Sequence, residues 1–197
     1  MQLVRRDVII SAGPWAESEE WQVIDREITH SIGTLVWPPG NSRFVLNPST
    51  GRGRGEGNGV VPIKEGFLLA LRGHGWETDE RRNPLRFDAV KTLATGNIFG
   101  LEWETGNVSS SHRSINRILL AHQRGLALGG ALVLPTRRMY QYLTDRIGNV
   151  EELEPYYPVW QAYPWEDGVL AMYGVEHDDT SELVPRIEKG TDGRALI

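Results

Sequence analysis

Two glutamates separated by one tryptophan, Glu102-Trp103-Glu104, end the short apolar run at 98–101. Side chains on a strand alternate faces, so Glu102 and Glu104 point one way while Trp103 enters the opposite layer. Like charges side by side on a sheet repel, and folding gains nothing from the pair itself. A divalent cation would neutralise them, and hard oxygen ligands on a rigid strand suit Mg²⁺ or Mn²⁺. Asp88, fourteen residues before Glu102, adds a third acid from what reads as the preceding strand at 85–91. Three acids converging from two neighbouring strands form the donor set of a metal-dependent phosphodiesterase.

The elements that must position these acids are legible from residue 61 onward. A helix is predicted over 63–72, with Ile63, Phe67, Leu68 and Leu71 on one stripe and Gly73 at its end. Short strands follow at 75–79 and 85–91, and a third at 98–104. The segment 109–124 reads as a helix with a serine-rich start as its cap, an apolar stripe of Ile115, Ile118, Leu119 and His122, and Gly125 as its stop. The nearly unbroken apolar run 126–134, closed by Pro135, reads as a strand buried on both faces. A further helix is expected at 136–146.

Outside this core the pattern is weaker. An amphipathic helix is predicted over 17–32 (Trp21, Ile24, Ile28, Ile32), whereas residues 1–10 mix charges into an apolar stretch and carry no leader signature. The interval 38–62 is rich in Gly, Pro, Asn and Ser and reads as a flexible surface loop. Its Arg52 and Arg54, set among glycines, either follow a nucleic-acid backbone or belong to an inert connection. The block 155–165 holds aromatics among prolines; it either stacks on bases or, as the favoured reading, packs a loop onto the core. A possible edge strand follows at 169–175, and the last twenty residues read as polar and frayed.

The order helix, three strands, helix, strand, with the acids where they fall, resembles the PD-(D/E)XK nuclease superfamily. The segments Phe87-Asp-Ala-Val-Lys91 and Gly100-Leu-Glu-Trp-Glu-Thr-Gly-Asn107, followed by Arg113, are similar to the BglII/BamHI branch of type II restriction endonucleases. The resemblance implies an α/β fold with a restriction-endonuclease-like αβββαβ core, a central mixed sheet flanked by helices. It spans 63–134 as the catalytic core of a single domain, 1–197, with a C-terminal extension from 155. It also implies Mg²⁺, with Mn²⁺ as a substitute, held by Asp88, Glu102 and the main-chain carbonyl of Trp103. Most of the superfamily has lysine at the third position; here it is Glu104, as in this branch. Glu104 would orient or deprotonate the attacking water, or complete a second metal site. Glu65, on the preceding helix, matches an auxiliary acid of related nucleases, against the plainer reading of a solvated helix glutamate. Lys91, three positions after Asp88, points to the other face of a regular strand and is discounted.

Further DNA contacts are expected at the start of the helix after the acids. Exposed N–H groups and the hydroxyls of Ser109 and Ser110 would seat a phosphate, with Arg113 as a bidentate donor; the alternative is that the serines only cap the helix. Asn107, Arg137 and Arg138 lie at element ends near the expected cleft. His112 and His122 are not read as ligands.

Composition bounds the partners. The net charge of −5 gives no support to binding nucleic acid through bulk charge. Yet all but Lys64, Lys91 and Lys189 of the 21 basic residues are Arg, the side chain suited to phosphate and guanine, or simply the product of a coding bias. Without cysteine there are no disulfides or thiolate metal sites, and no run is apolar enough to span a bilayer, consistent with a cytoplasmic protein. The expected partners are double-stranded DNA, a second copy of the chain and a DNA methyltransferase encoded nearby. The alternatives are a repair nuclease of the same superfamily and a catalytically silent DNA-binding module. Retained acid clusters argue against the latter. A glycosidase is disfavoured because i, i+2 glutamates sit too close for inverting geometry.

Overall fold

A computed structural model describes residues 1–50, 57–79, 85–144 and 146–189. In chain order they form β1 (Gln2–Ala12), α1 (Glu19–Gly33), β2 (Val45–Leu46), α2 (Val61–Gly73), β3 (Ala89–Thr92), β4 (Ile98–Trp103) and α3 (Val108–Gln123). There follow β5 (Ala127–Pro135), α4 (Arg137–Tyr140), α5 (Val150–Leu153), α6 (Tyr157–Gln161), β6 (Gly168–Glu176) and β7 (Asp179–Thr180). The expected α/β class holds: a five-stranded mixed sheet in the order β1-β6-β5-β4-β3 lies between helices. β3 pairs antiparallel with β4, and β4, β5 and β6 run parallel to one another. α3 is the crossover that parallel neighbours require between β4 and β5.

Alternation along the strands builds two apolar layers. Ala131 and Val133 of β5 join Phe99, Leu101 and Trp103 beneath α1 and α2, where Ile24, Ile28, Ile32, Phe67 and Leu71 are buried. Leu132 and Leu134 face the other way, against Ile115 and Ile118 of α3, Met172 of β6 and Trp160 of α6. β5 therefore has no polar face, which is why its sequence shows no alternation of polar and apolar residues. Gly100 answers to the same crowding, since a Cβ there would meet the Phe87 ring at 2.7 Å.

Several expectations are corrected. All but the first of residues 1–10 belong to β1, which forms a sheet edge by pairing antiparallel with β6. Its charges are those of an edge strand: Arg5 pairs with Asp7 and Glu154, and Arg6 with Asp25. The strand placed at an edge, 169–175, is instead interior, between β1 and β5, and buried along nearly its whole length. The strand at 75–79 reduces to one bridge, Glu77 exchanging both backbone bonds with Val90. The helix expected at 136–146 stops after one turn because Asn58 captures its backbone. Asn58 N–H donates to the Tyr142 carbonyl at 2.7 Å, and Thr144 N–H donates to the Asn58 carbonyl at 2.9 Å.

The C-terminal segment is packed rather than frayed as far as it is described. β7 pairs with β2, and Ile187 is buried with its N–H on Asn58 Oδ1. Residues 190–197, and Arg52 and Arg54 of the glycine-rich loop, lie outside the described residues. In the aromatic block packing prevails: Trp160 is buried, the Tyr157 hydroxyl donates to Asp7 at 2.7 Å, and Tyr156 remains exposed. None of the described helices is long and apolar enough to cross a membrane.

Candidate active site

β3 and β4 bring the three acids to one end of the sheet. Asp88 immediately precedes β3, Glu102 lies in β4 and Glu104 follows its last residue. They retain only 4%, 6% and 4% of their surface, although carboxylates are rarely buried. The expected alternation holds. Trp103 turns into the layer under α2, its ring centroid 4.8 Å from that of Phe67, while Glu102 and Glu104 both meet α3. The Trp103 N–H donates to Asp88 Oδ2 at 2.8 Å, locking the start of β3 to the end of β4.

Each acid is held by a different partner. Lys64 of α2 donates to Asp88 Oδ1. Arg117 of α3 donates from Nη1 both to Glu102 Oε1 and, at 2.8 Å, to the carbonyl of Arg86. Glu104 accepts from Ser111 Oγ, and from the Gly106 N–H at 2.6 Å. Gly148 makes room for this contact, since a Cβ there would lie 2.3 Å from Ser111 Oγ. Burial pushes the Glu104 carboxyl above the usual glutamate range and the charge of Asp88 pushes it the same way, against the bonds from Ser111, Gly106 and Thr105.

The acids adjoin, but no three carboxylates or imidazoles among the described residues close on a common point as a metal cage. Each carboxylate instead bonds to its own cationic or hydroxyl partner. The donor set nonetheless suits a hard divalent cation: the acids are clustered, buried and oxygen-only, and the charge of Asp88 adds to the burial that raises Glu104.

The other sequence-predicted residues fall into two groups. Asn107, Val108 and Ser109 line a cleft of about 790 Å³ together with Tyr140, Gln141, Leu143, Arg146 and Glu152. The Gly148 N–H donates to the Gly106 carbonyl at 2.9 Å, which ties the segment before α5 to the turn that follows Glu104. The cap of α3 is Asn107 rather than a serine: its Oδ1 accepts from the N–H groups of Ser109 and Ser110, at 3.0 and 3.3 Å. The Ser110 hydroxyl returns to the Asn107 carbonyl. Arg113 is exposed on α3, one turn before Arg117.

The second group stands away from the acids. Glu65 is exposed on α2; its neighbour Lys64 is the α2 residue that reaches Asp88. Lys91 bonds to Glu27 and to the His74 carbonyl, as its position on the other face requires. Arg137 is exposed, and Arg138 pairs with Glu176 at 2.7 Å. His112 packs edge-on to Tyr156, and His122 stacks on Trp165 with ring centroids 3.8 Å apart.

Sequence reasoning missed Lys64, Ser111, Arg117 and Arg146. Arg117 was discoverable, since it follows Arg113 by four positions on a helix predicted to run beside the acids. Arg146 carried no signal, because the helix expected there would have placed it differently.

The comparisons with known proteins bear on this arrangement. The family described as restriction endonuclease BamHI matches residues 1–194. The type II restriction enzyme OkrAI of Oceanobacter kriegii is 43% identical over 204 aligned positions, covering 100% of both chains. The type II restriction enzyme BamHI of Bacillus amyloliquefaciens is 32% identical over 179 positions, covering 85% of this chain and 80% of that enzyme. The chain therefore belongs to the BamHI restriction endonuclease family, and with it to the site-specific deoxyribonucleases.

Proposed function

We propose that the protein is a cytoplasmic, homodimeric, Mg²⁺-dependent endonuclease that hydrolyses phosphodiester bonds of double-stranded DNA at a palindromic site. The observation that carries this reading is the burial of Asp88, Glu102 and Glu104 at adjoining ends of β3 and β4, beside the cleft lined by Asn107, Ser109 and Arg146. Asp88, Glu102 and the Trp103 carbonyl would hold the cation, with Mn²⁺ as a substitute. When bound, it polarises the scissile phosphate and lowers the pKa of the attacking water.

The chain's own groups do the rest. Glu104 orients or deprotonates the water, its basicity raised by burial, or completes a second metal site. Glu65, exposed on α2 away from these acids, keeps the plainer role of a solvated helix glutamate. Asn107, Ser109, Ser110 and Arg113, with Arg52 and Arg54 of the glycine-rich loop, contact DNA. Because Asn107 already accepts from the N–H groups of Ser109 and Ser110, and the Ser110 hydroxyl donates to the Asn107 carbonyl, the Ser109 hydroxyl is the better phosphate donor of the two. Two copies related by a two-fold axis would read the two halves of a palindrome. A methyltransferase encoded nearby would protect the host's copies of the site.

The test is a plasmid digest in Mg²⁺ with the parent and Glu102→Ala, with the fragment ends sequenced. Discrete fragments made by the parent and lost in the variant are expected. A metal-dependent smear would point to a repair or non-specific nuclease, and binding without cleavage to a silent module.

A further inference from the structure

Arg86, two residues before Asp88, has a φ of +54°, a left-handed conformation that a long side chain rarely adopts unless its surroundings impose it. The imposed contact is visible. Arg117 Nη1 donates to the Arg86 carbonyl at 2.8 Å, and the same nitrogen donates to Glu102 Oε1. One guanidinium group on α3 thus joins the acid of β4 to the turn that delivers Asp88. The same segments are also joined by the Trp103 N–H donating to Asp88 Oδ2 and by the β3–β4 ladder that starts at Ala89 and Leu101. The Arg86 side chain itself is exposed, so the strain at this position belongs to its backbone and not to a buried contact of its own.

We infer that Arg117 is a positioning residue that sets the placement of Asp88 relative to Glu102 by clamping the left-handed turn at Arg86. Charge compensation of Glu102 alone would not require the second bond to a carbonyl. The clamp makes the geometry of the two acids depend on α3, the helix whose capping residue Asn107 lines the cleft. A shift of α3 when DNA fills the cleft would move Asp88 and Glu102 together. The cleavage arm of the test rests on the nuclease reading above; the exchange arm does not.

The experiment compares Arg117→Met, Arg86→Gly and the double variant. Glycine adopts positive φ without steric cost, so Arg86→Gly relieves the strain that the clamp holds in place. The first readout is hydrogen exchange of the Trp103 amide, protected by Asp88 only while that carboxylate is in position. Arg117→Met is expected to lose this protection and to lower kcat for plasmid cleavage by about 10–100-fold, with a smaller change in KM, as loss of an outer partner of a metal ligand does. Adding Arg86→Gly should restore much of both, measured against Arg86→Gly alone. Unchanged Trp103 protection in Arg117→Met would overturn the inference. So would a double variant no better than Arg117→Met, which would leave Arg117 as a countercharge only. If no form cleaves DNA, the nuclease reading fails while the exchange result still decides the positioning role.

Discussion

Two clusters of charge, one at each edge of the sheet, use similar side chains to opposite ends. At the β1 edge, Arg5 meets Asp7 and Glu154, and Arg6 meets Asp25, which also accepts from Tyr173. The acidic side chains there keep 22%, 52% and 21% of their surface in water. At the β3–β4 edge, the side chains of Asp88 and Glu102 keep 6% and 8%, and Glu104 is held by the neutral donors Ser111 Oγ and the Gly106 N–H. Water screens the first cluster, whose pairs contribute little to stability and mainly mark an edge strand. Taking carboxylates out of water costs on the order of several kcal/mol each before partners offset it, and a third acid beside two paired ones adds repulsion. Folding has no use for such a group. Chemistry does, and the difference between the clusters is the physical argument for an active site.

The largest expected effect comes from Glu104→Gln, which keeps the shape and one acceptor, for the Gly106 N–H, turns the other contact into an amide N–H donating to Ser111 Oγ, and removes the buried charge. Cleavage should fall by about 10²–10⁴-fold, the range for losing a general base. The melting temperature should rise or hold, since a desolvated like charge has gone. The matching change at the other edge, Glu154→Gln, should leave cleavage untouched and lower the melting temperature slightly or not at all. A variant that lost activity and stability together at Glu104 would make the two clusters equivalent.

A smaller effect is expected from pH. Burial raises the Glu104 pKa, so in the folded state its protonated form is favoured. Its stabilising contribution is full below the ordinary glutamate value of 4.5 and is lost as pH rises through the raised value. Melting of the metal-free parent, compared with Glu104→Gln, should therefore show the parent losing ground as pH climbs above that value. Cleavage should move the other way, because only the carboxylate accepts a proton. Parallel trends would separate Glu104 from both roles.

How much of this was legible in the sequence follows from how local each signal is. Alternation along 98–104 placed Trp103 and the two glutamates on opposite faces, and the unbroken apolar run announced β5, because those patterns are set by period alone. β1 was hidden because three consecutive charges, Arg5, Arg6 and Asp7, interrupt its apolar run, and its partner β6 lies more than 150 residues away in sequence. The helix at 136–146 failed because Asn58, distant in the chain, takes its backbone bonds. At the site, the acids were readable as an arrangement that folding would not favour, and the resemblance gave them roles. Their cationic partners were not readable, since Lys64 and Arg117 arrive from two separate helices whose rotation only packing fixes. The cap of α3 was misassigned by two residues for a local reason: Asn107 and the serines are all good caps, and the sequence does not rank them.

The most direct test of the account is a calorimetric titration of Mg²⁺ into the parent and into Glu102→Ala, each with an uncleavable phosphorothioate duplex bound. The account predicts saturable binding by the parent and its loss in the variant, with both proteins folded by circular dichroism. Equal binding by the two would place the cation elsewhere and contradict the assignment of the buried acids as its seat.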